Sequence, residues 1–178
     1  IYYKSKILYG LYQSKSAIAK QDNCFIVEGY TDVISLHQNG VENVVSASGT
    51  ALGIDQLKLI SRITEKITLL FDGDEAGIKA TYRTIDLSLK EGINVNVVIF
   101  PEGEDPDSYS NKLSKNEYES FLKKNSINFV EYKIIISNLN VEVDPKEIIK
   151  IKRDIFISIS NIPDSLVRAQ YCKTYCKK

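Results

Sequence analysis

Through the first hundred residues, apolar runs that stop at glycine or aspartate alternate with stretches whose apolar residues recur every three or four positions. Short unbroken apolar runs fit strands covered on both faces, and the wider spacing marks helices with one buried side. Strands are therefore expected at Cys24–Val27, Asn43–Ala47, Ile67–Phe71 and Val95–Phe100. Between them, one helix is expected from about Thr31 to Asn39, with Val33, Ile34, Leu36 and His37 on its apolar side and Gly40 as its stop. A second should run from Ile54 to Ile63 after a Ser48-Gly49-Thr50 turn, and a third from Ala76 to Lys90, ended by Gly92. An acidic loop, Pro101–Asp107, follows the last strand. Strand–helix alternation of this kind predicts an α/β fold with a mostly parallel sheet flanked by helices.

After residue 110 glycine disappears and helix signals take over. Ser114-x-x-Glu117 is a capping box ahead of Tyr118, Phe121 and Leu122. Asp144-Pro145-x-Glu147 is a second start signal, and Ile148, Ile151, Ile155 and Ile159 behind it form an apolar stripe that needs a partner. Pro163 is expected to start a further helix carrying Leu166, Val167, Ala169, Gln170 and Tyr171. Residues 21–110 thus read as an α/β domain and residues 111–178 as a C-terminal helical subdomain packed on it.

Composition narrows the setting. In 178 residues, 43% are hydrophobic and 26% charged, an ordinary folded mix. No run approaches the ~18 apolar residues of a membrane helix, and no signal peptide opens the chain. Three cysteines, Cys24, Cys172 and Cys176, cannot all pair with one another, so a reduced, cytoplasmic protein is expected. With no methionine and Ile1 in first place, the chain reads as an excised piece whose function draws on segments outside it.

The formal charge of zero hides a segregated pattern. Residues 1–20 carry Lys4, Lys6, Lys15 and Lys20 with no acid, whereas residues 21–110 carry 15 acids against 6 bases. In an open parallel sheet the strand C-termini share one edge, where ligands collect. Three of the four expected strands lead into acids there: Glu28; Asp72 and Asp74; then Asp105 and Asp107, with Asp32 in the first turn after Glu28. Bare, these six carboxylates would repel and raise one another's pKa values; hard cations such as Mg²⁺, which take carboxylate oxygens and water, would relieve them. Two such ions about 4 Å apart serve polymerases and nucleases in activating a hydroxyl and stabilising a leaving group. Glu28 is also suited to be a general base, and Lys4 with its neighbours, Lys6 first, to meet a triphosphate or a template. Gly73 between the two aspartates would let a metal or phosphate approach the backbone.

Val27-Glu28-Gly29-Tyr30-Thr31-Asp32-Val33, Ser48-Gly49-Thr50, Phe71-Asp72-Gly73-Asp74-x-Ala76-Gly77 and Pro101-x-Gly103-Glu104-Asp105-Pro106-Asp107 together resemble the TOPRIM domain, and more narrowly the RNA polymerase domain of bacterial DNA primases. Lys4-x-x-x-Leu8-Tyr9-Gly10-Leu11 resembles the segment just before TOPRIM in that family, so residues 1–20 are expected to be a lead-in from a preceding subdomain. The resemblance is strong over about residues 1–110 and rests on position and type beyond. It implies synthesis of short RNA primers from ribonucleoside triphosphates on single-stranded DNA with Mg²⁺ or Mn²⁺. Glu28, Asp72 and Asp74 would be the principal metal ligands, with Asp32, Asp105 and Asp107 in support. Lys4 would be basic at the active site, and a replicative helicase would be the partner through a domain not present. Zinc is not expected here, because His37 is the lone histidine and Cys172-x-x-x-Cys176 has no partner pair. The chain on its own is expected to be inactive or weakly active, lacking a dense basic patch for a template. Most of the eleven tyrosines read as amphipathic surface and core residues. Another metal-dependent TOPRIM enzyme, a topoisomerase or nuclease, is the alternative. A phosphatase forming an aspartyl phosphate on Asp72 is a further one, disfavoured because Ala76 stands where Thr or Val would be expected.

Overall fold

A computed structural model describes residues 3–47, 52–138 and 145–175, and all structural statements below concern these. The Ser48–Thr50 turn, the Asp144 cap and Cys176 lie outside them, as does the side chain of Lys4. The first three strands and helices fall where the hydrophobic pattern puts them: β1 at Cys24–Val27, α2 at Tyr30–Gln38, β2 at Val44–Ser46, α3 at Ile54–Ser61, β3 at Lys66–Leu69 and α4 at Glu75–Lys90. β4 follows at Asn94–Val98. β1 pairs in parallel with β2 and β3, and β3 with β4, so the parallel part runs β2-β1-β3-β4.

The strands read as unbroken apolar runs because both faces are covered, and successive residues enter different layers. Ile26, Leu69 and Val97 pack with Ile18, Leu57, Ile60, Ile85 and Leu89 on one face. Their neighbours Val27, Leu70 and Val98 pack with Val33, Leu36, Tyr118 and Leu122 on the other. Of the apolar side expected for α2, Val33 and Leu36 are buried, whereas Ile34 is exposed; His37 sits at the edge, its Nε2 3.2 Å from Ser14 Oγ. That hydroxyl donates to Val44 O at 2.7 Å, so His37 must be the donor in their contact.

Four departures from the sequence reading matter. Residues before β1 form a helix, α1, over Leu11–Gln21, which the hydrophobic pattern left unassigned. Gly10, at φ 81°, turns the chain into it, and Tyr9 exchanges backbone hydrogen bonds with Ser46 at 2.9 and 3.2 Å, clipping this lead-in to the free edge of β2. The acidic loop is partly helical: α5 spans Pro106–Ser110. The region after 110 is not purely helical either, since Ser126–Asn128 forms β5, antiparallel to β4. Three residues between α6 (Lys115–Asn125) and α7 (Phe129–Asn138) are too few to display strand alternation. Last, α9 runs Ser165–Tyr175, two residues after Pro163, because Asp164 caps it, accepting from the N–H groups of Leu166 and Val167 at 2.7 and 3.1 Å.

The capping box at Ser114 forms as expected, with the Glu117 carboxylate accepting from Ser114 N at 2.9 Å. The isoleucine stripe of α8 (Pro145–Ser160) finds its partner at one end: Ile155 and Ile159 enter the core, and Ile148 stays exposed. That core is shared, for Phe129, Val130, Ile155 and Ile159 join the same cluster as Ile26 and Val97.

Candidate acidic site at the sheet edge

In the strand order β2-β1-β3-β4 the chain leaves β1 toward one side, then returns to β3 on the other, so a switch point lies between β1 and β3. Adjacent crossover connections part there and leave a crevice at the strand C-termini. Glu28 follows β1 directly, and Asp72 follows β3 after the extended pair Leu70-Phe71, whose first N–H still donates to Ile26 O at 2.9 Å. Register therefore places the two acids side by side. The Asp72 backbone N–H donates to Glu28 Oε1 at 3.3 Å.

Asp74 is the N-cap of α4, its Oδ1 accepting from Gly77 N at 2.6 Å. Asp32 sits in the first turn of α2 and its Oδ2 accepts from Gly29 N at 2.9 Å. Asp105 caps α5, with Oδ1 accepting from Ser108 N at 2.7 Å, and Asp107 Oδ1 accepts from Asn111 Nδ2 at 2.8 Å. Three helix N-termini thus point at the rim, and their partial positive charge offsets part of the carboxylate repulsion. Helix N-termini thus share with any bound cation the relief of this cluster.

The remaining repulsion is visible in proton affinities. Burial holds the Glu28 carboxyl above its usual range; the Asp72 N–H bond opposes this, and the charges of Asp72, Asp74 and Asp32 add to it. Burial likewise raises Asp32, helped by Asp105 and Asp107, and raises Asp72, helped by Asp105, Asp32 and Asp74. Charges from all six acids thus bear on Glu28, Asp32 or Asp72 along a single rim. Lys6 is exposed and places its ammonium over the Tyr3 ring, 5.8 Å from the centroid, a contact that does not tie it to the acids.

The donors are all carboxylates, the chemistry that Mg²⁺ and Mn²⁺ accept. Among the described residues no three acidic, histidine or cysteine side chains close around one point as a finished ligand shell. The rim is open: Glu28, Asp72 and Asp74 are exposed as residues even though the carboxyls of Glu28 and Asp72 are partly desolvated, so a hydrated ion could reach it. Cys24 is buried, which pushes its thiol pKa up.

One residue of the site carried no role in the sequence reading. Gly77, in the first turns of α4, is buried against the Asp72 backbone, where a Cβ would meet Asp72 O at 2.2 Å and Glu28 Oε1 at 3.1 Å. The signal was present, as a glycine inside a helical stretch is costly and calls for a packing reason. Gly73 differs, since nothing lies within 4 Å of a Cβ built there.

Residues 25–110 match a family model described as Toprim-like. A DNA primase of Clostridium acetobutylicum is 37% identical over 183 aligned residues, which take in all of this chain and 30% of that protein. The crystal structure of the Aquifex aeolicus primase, comprising zinc-binding and RNA polymerase domains, superposes with a TM-score of 0.83 at 32% identity, covering 99% of this chain and 43% of that one. A DnaG primase catalytic domain bound to single-stranded DNA matches with a TM-score of 0.83 at 25% identity, covering 99% of this chain and 58% of its own. The chain thus spans under a third of the length of its Clostridium relative. Edge acids, strand order and relatives agree: this chain belongs to the bacterial DNA primases, of whose catalytic core it carries the Toprim-like part.

Proposed function

We propose that the acidic rim is the nucleotidyl-transfer centre of a primase, joining ribonucleoside triphosphates into short RNA primers on a single-stranded DNA template. The observation that carries this reading is the meeting of Glu28 with Asp72 and Asp74 at the β1/β3 switch point, fixed by the Asp72 N–H to Glu28 bond. Glu28, Asp72 and Asp74 would hold divalent cations, Mg²⁺ or Mn²⁺, with Asp32, Asp105 and Asp107 keeping the rim negative behind them. Such ions supply Lewis-acid activation of the attacking hydroxyl and charge for the departing pyrophosphate. Glu28, with its proton affinity raised by burial, is suited to take the proton of that hydroxyl. Lys4 and Lys6 would meet the triphosphate or template. This reading assigns no zinc to the segment.

In this reading residues 1–20 are the lead-in from a preceding subdomain, residues 21–110 the Toprim unit and residues 111–178 its helical companion. A replicative helicase would engage a domain beyond these residues, in the bacterial cytoplasm. Among the described residues no helix is long and apolar enough to cross a membrane.

The test is primer synthesis by the full-length protein, of which these residues are a part, carrying Asp72→Asn or Asp74→Asn. Asparagine still caps a helix, so α4 and the fold should persist in the Asp74 variant. Synthesis should fall by roughly a hundredfold or more, the scale of loss when reacting groups are misplaced by about 1 Å. Wild-type synthesis in either variant would remove both aspartates from the centre, and DNA cleavage without RNA products would favour a topoisomerase or nuclease instead.

A further inference from the structure

Gly77 is held from three directions. Its N–H donates to Asp74 Oδ1 at 2.6 Å, it is pressed against the Asp72 backbone, and its carbonyl accepts from Thr81 Oγ1 at 2.8 Å. The first two contacts reach the rim directly. The third leads away from it, along α4 and into α7. Thr81 is 1% exposed, and its hydroxyl is hydrogen-bonded to that of Tyr132 on α7, itself 4% exposed. Thr81 has one proton and gives it to Gly77 O, so Tyr132 must be the donor between the two hydroxyls. A chain of donors therefore runs from Tyr132 through Thr81 to the residue whose N–H holds Asp74.

Next to this chain, α7 grips the same stretch of α4 a second time. The rings of Tyr82 and Tyr132 lie 6.1 Å apart, and the Tyr82 hydroxyl is hydrogen-bonded to the side chain of Ser137. Buried hydrogen bonds add little net stability, because each group gives up water to make them. Ile85 and Leu89 already seat α4 in the core. What the hydroxyls add is direction: apolar burial has none, whereas a hydrogen bond weakens steeply once bent.

We propose that Tyr132 is a positioning residue for the rim: through Thr81 it fixes the Gly77 peptide, and through Gly77 the set of Asp74 and Asp72 toward a bound divalent cation. The proposal rests on the nucleotidyl-transfer reading for the place of the ion. It adds that the helical region beyond residue 110 shapes that place. A purely structural role for the Tyr132 hydroxyl would be felt in stability alone, whereas a positioning role is felt in ion affinity and turnover.

The probe is Mn²⁺, titrated into the full-length protein without nucleotides and followed by loss of the free-ion electron paramagnetic resonance signal. Primer synthesis is measured alongside. Tyr132→Phe keeps the ring and removes the hydroxyl. It should weaken Mn²⁺ binding and lower kcat by roughly threefold to tenfold, the lower end of what groups behind metal ligands contribute, with KM for ribonucleotides unchanged. Thr81→Val breaks the chain at its middle and should do the same, and Thr81→Ser, which keeps the hydroxyl, should match wild type. Tyr132→Phe and Thr81→Val together should lose no more than either alone, as for two links of one chain. Tyr171→Phe on α9 removes a hydroxyl from the same helical region and should leave Mn²⁺ affinity and kcat as they are. Unchanged affinity and kcat in Tyr132→Phe and Thr81→Val overturn the proposal. So do losses that add, or a Thr81→Ser variant as impaired as Thr81→Val. Asp74→Asn keeps the two readings apart. Loss of Mn²⁺ binding there, beside wild-type binding in Tyr132→Phe, overturns the positioning role and leaves the rim standing. Wild-type Mn²⁺ binding in Asp74→Asn overturns the ion site, and the positioning role with it.

Discussion

Asp74 illustrates how single residues serve two ends at this site, because the carboxylate that caps α4 is also one of the rim acids. Asp32 and Asp105 are shared in the same way between helix starts and rim. Such double use draws the acids close together, at a cost that is readable as pH dependence. Glu28, Asp32 and Asp72 each bind a proton more tightly in the folded protein than in the unfolded chain. Below the ordinary carboxylate range both states are protonated and the contribution of these groups is fully present. As pH rises through the raised folded values, ionisation is harder in the native state and that stability is lost. Denaturation in EDTA should therefore show Asp72→Asn more stable than wild type at neutral pH, by about 1 kcal/mol or less given solvent screening. The gap should close as pH falls below the usual carboxylate values of 3.8 to 4.5. A gap independent of pH would mean the rim acids do not crowd one another.

At the scale of elements, α4 is the part on which the site depends. Its N-terminus presses on the Asp72 backbone through Gly77, and its C-terminal half is anchored by a buried lysine. Lys133, on α7, donates to Asp154 Oδ2 and Ser158 Oγ of α8, both at 2.7 Å, and its ammonium lies 4.6 Å from the Tyr82 ring centroid. Ser158 Oγ in turn donates a hydrogen bond to Asp86 Oδ1 of α4 at 2.6 Å, so three helices meet at one satisfied cation. Replacing glycine by alanine inside a helix normally stabilises it by about 1 kcal/mol. Gly77→Ala should do the reverse, destabilising by about 1–3 kcal/mol because the added methyl must displace Asp72. Primer synthesis should fall with it. Gly73→Ala, with open space around its Cβ, should leave the denaturation midpoint unchanged. Equal stability of the two variants would show that α4 yields at no cost.

For the molecule as a whole, the shared core matters more than the change in composition at residue 110. Phe129, Val130, Ile155 and Ile159 cover the sheet face formed by Ile26, Leu69 and Val97, and β5 pairs along β4. Ending the chain at residue 110 would bare part of that face and the edge of β4, surface that a stable domain keeps covered. The truncated chain should lose its cooperative unfolding transition, whereas residues 1–178 should unfold in a single one, as calorimetry of the two would show. A sharp transition in the shorter chain would make residues 21–110 an autonomous domain.

Much of this was legible in the sequence, for reasons that differ by feature. Unbroken runs such as Cys24–Val27 and Ile67–Phe71 announce strands covered on both faces, and acids directly after them announce the edge where a ligand belongs. Local chemistry fixed those, including the cap at Ser114. Short or mixed segments gave no such sign: α1, whose turns carry lysines and serines among few apolar residues, and β5, only three residues long. Strand order, and with it the meeting of Glu28 with Asp72, came from long-range pairing that no local pattern encodes. The same holds for the closeness of Gly77 to Asp72 and for the burial of Lys133, because contacts between distant segments exist only after the helices have packed on the sheet.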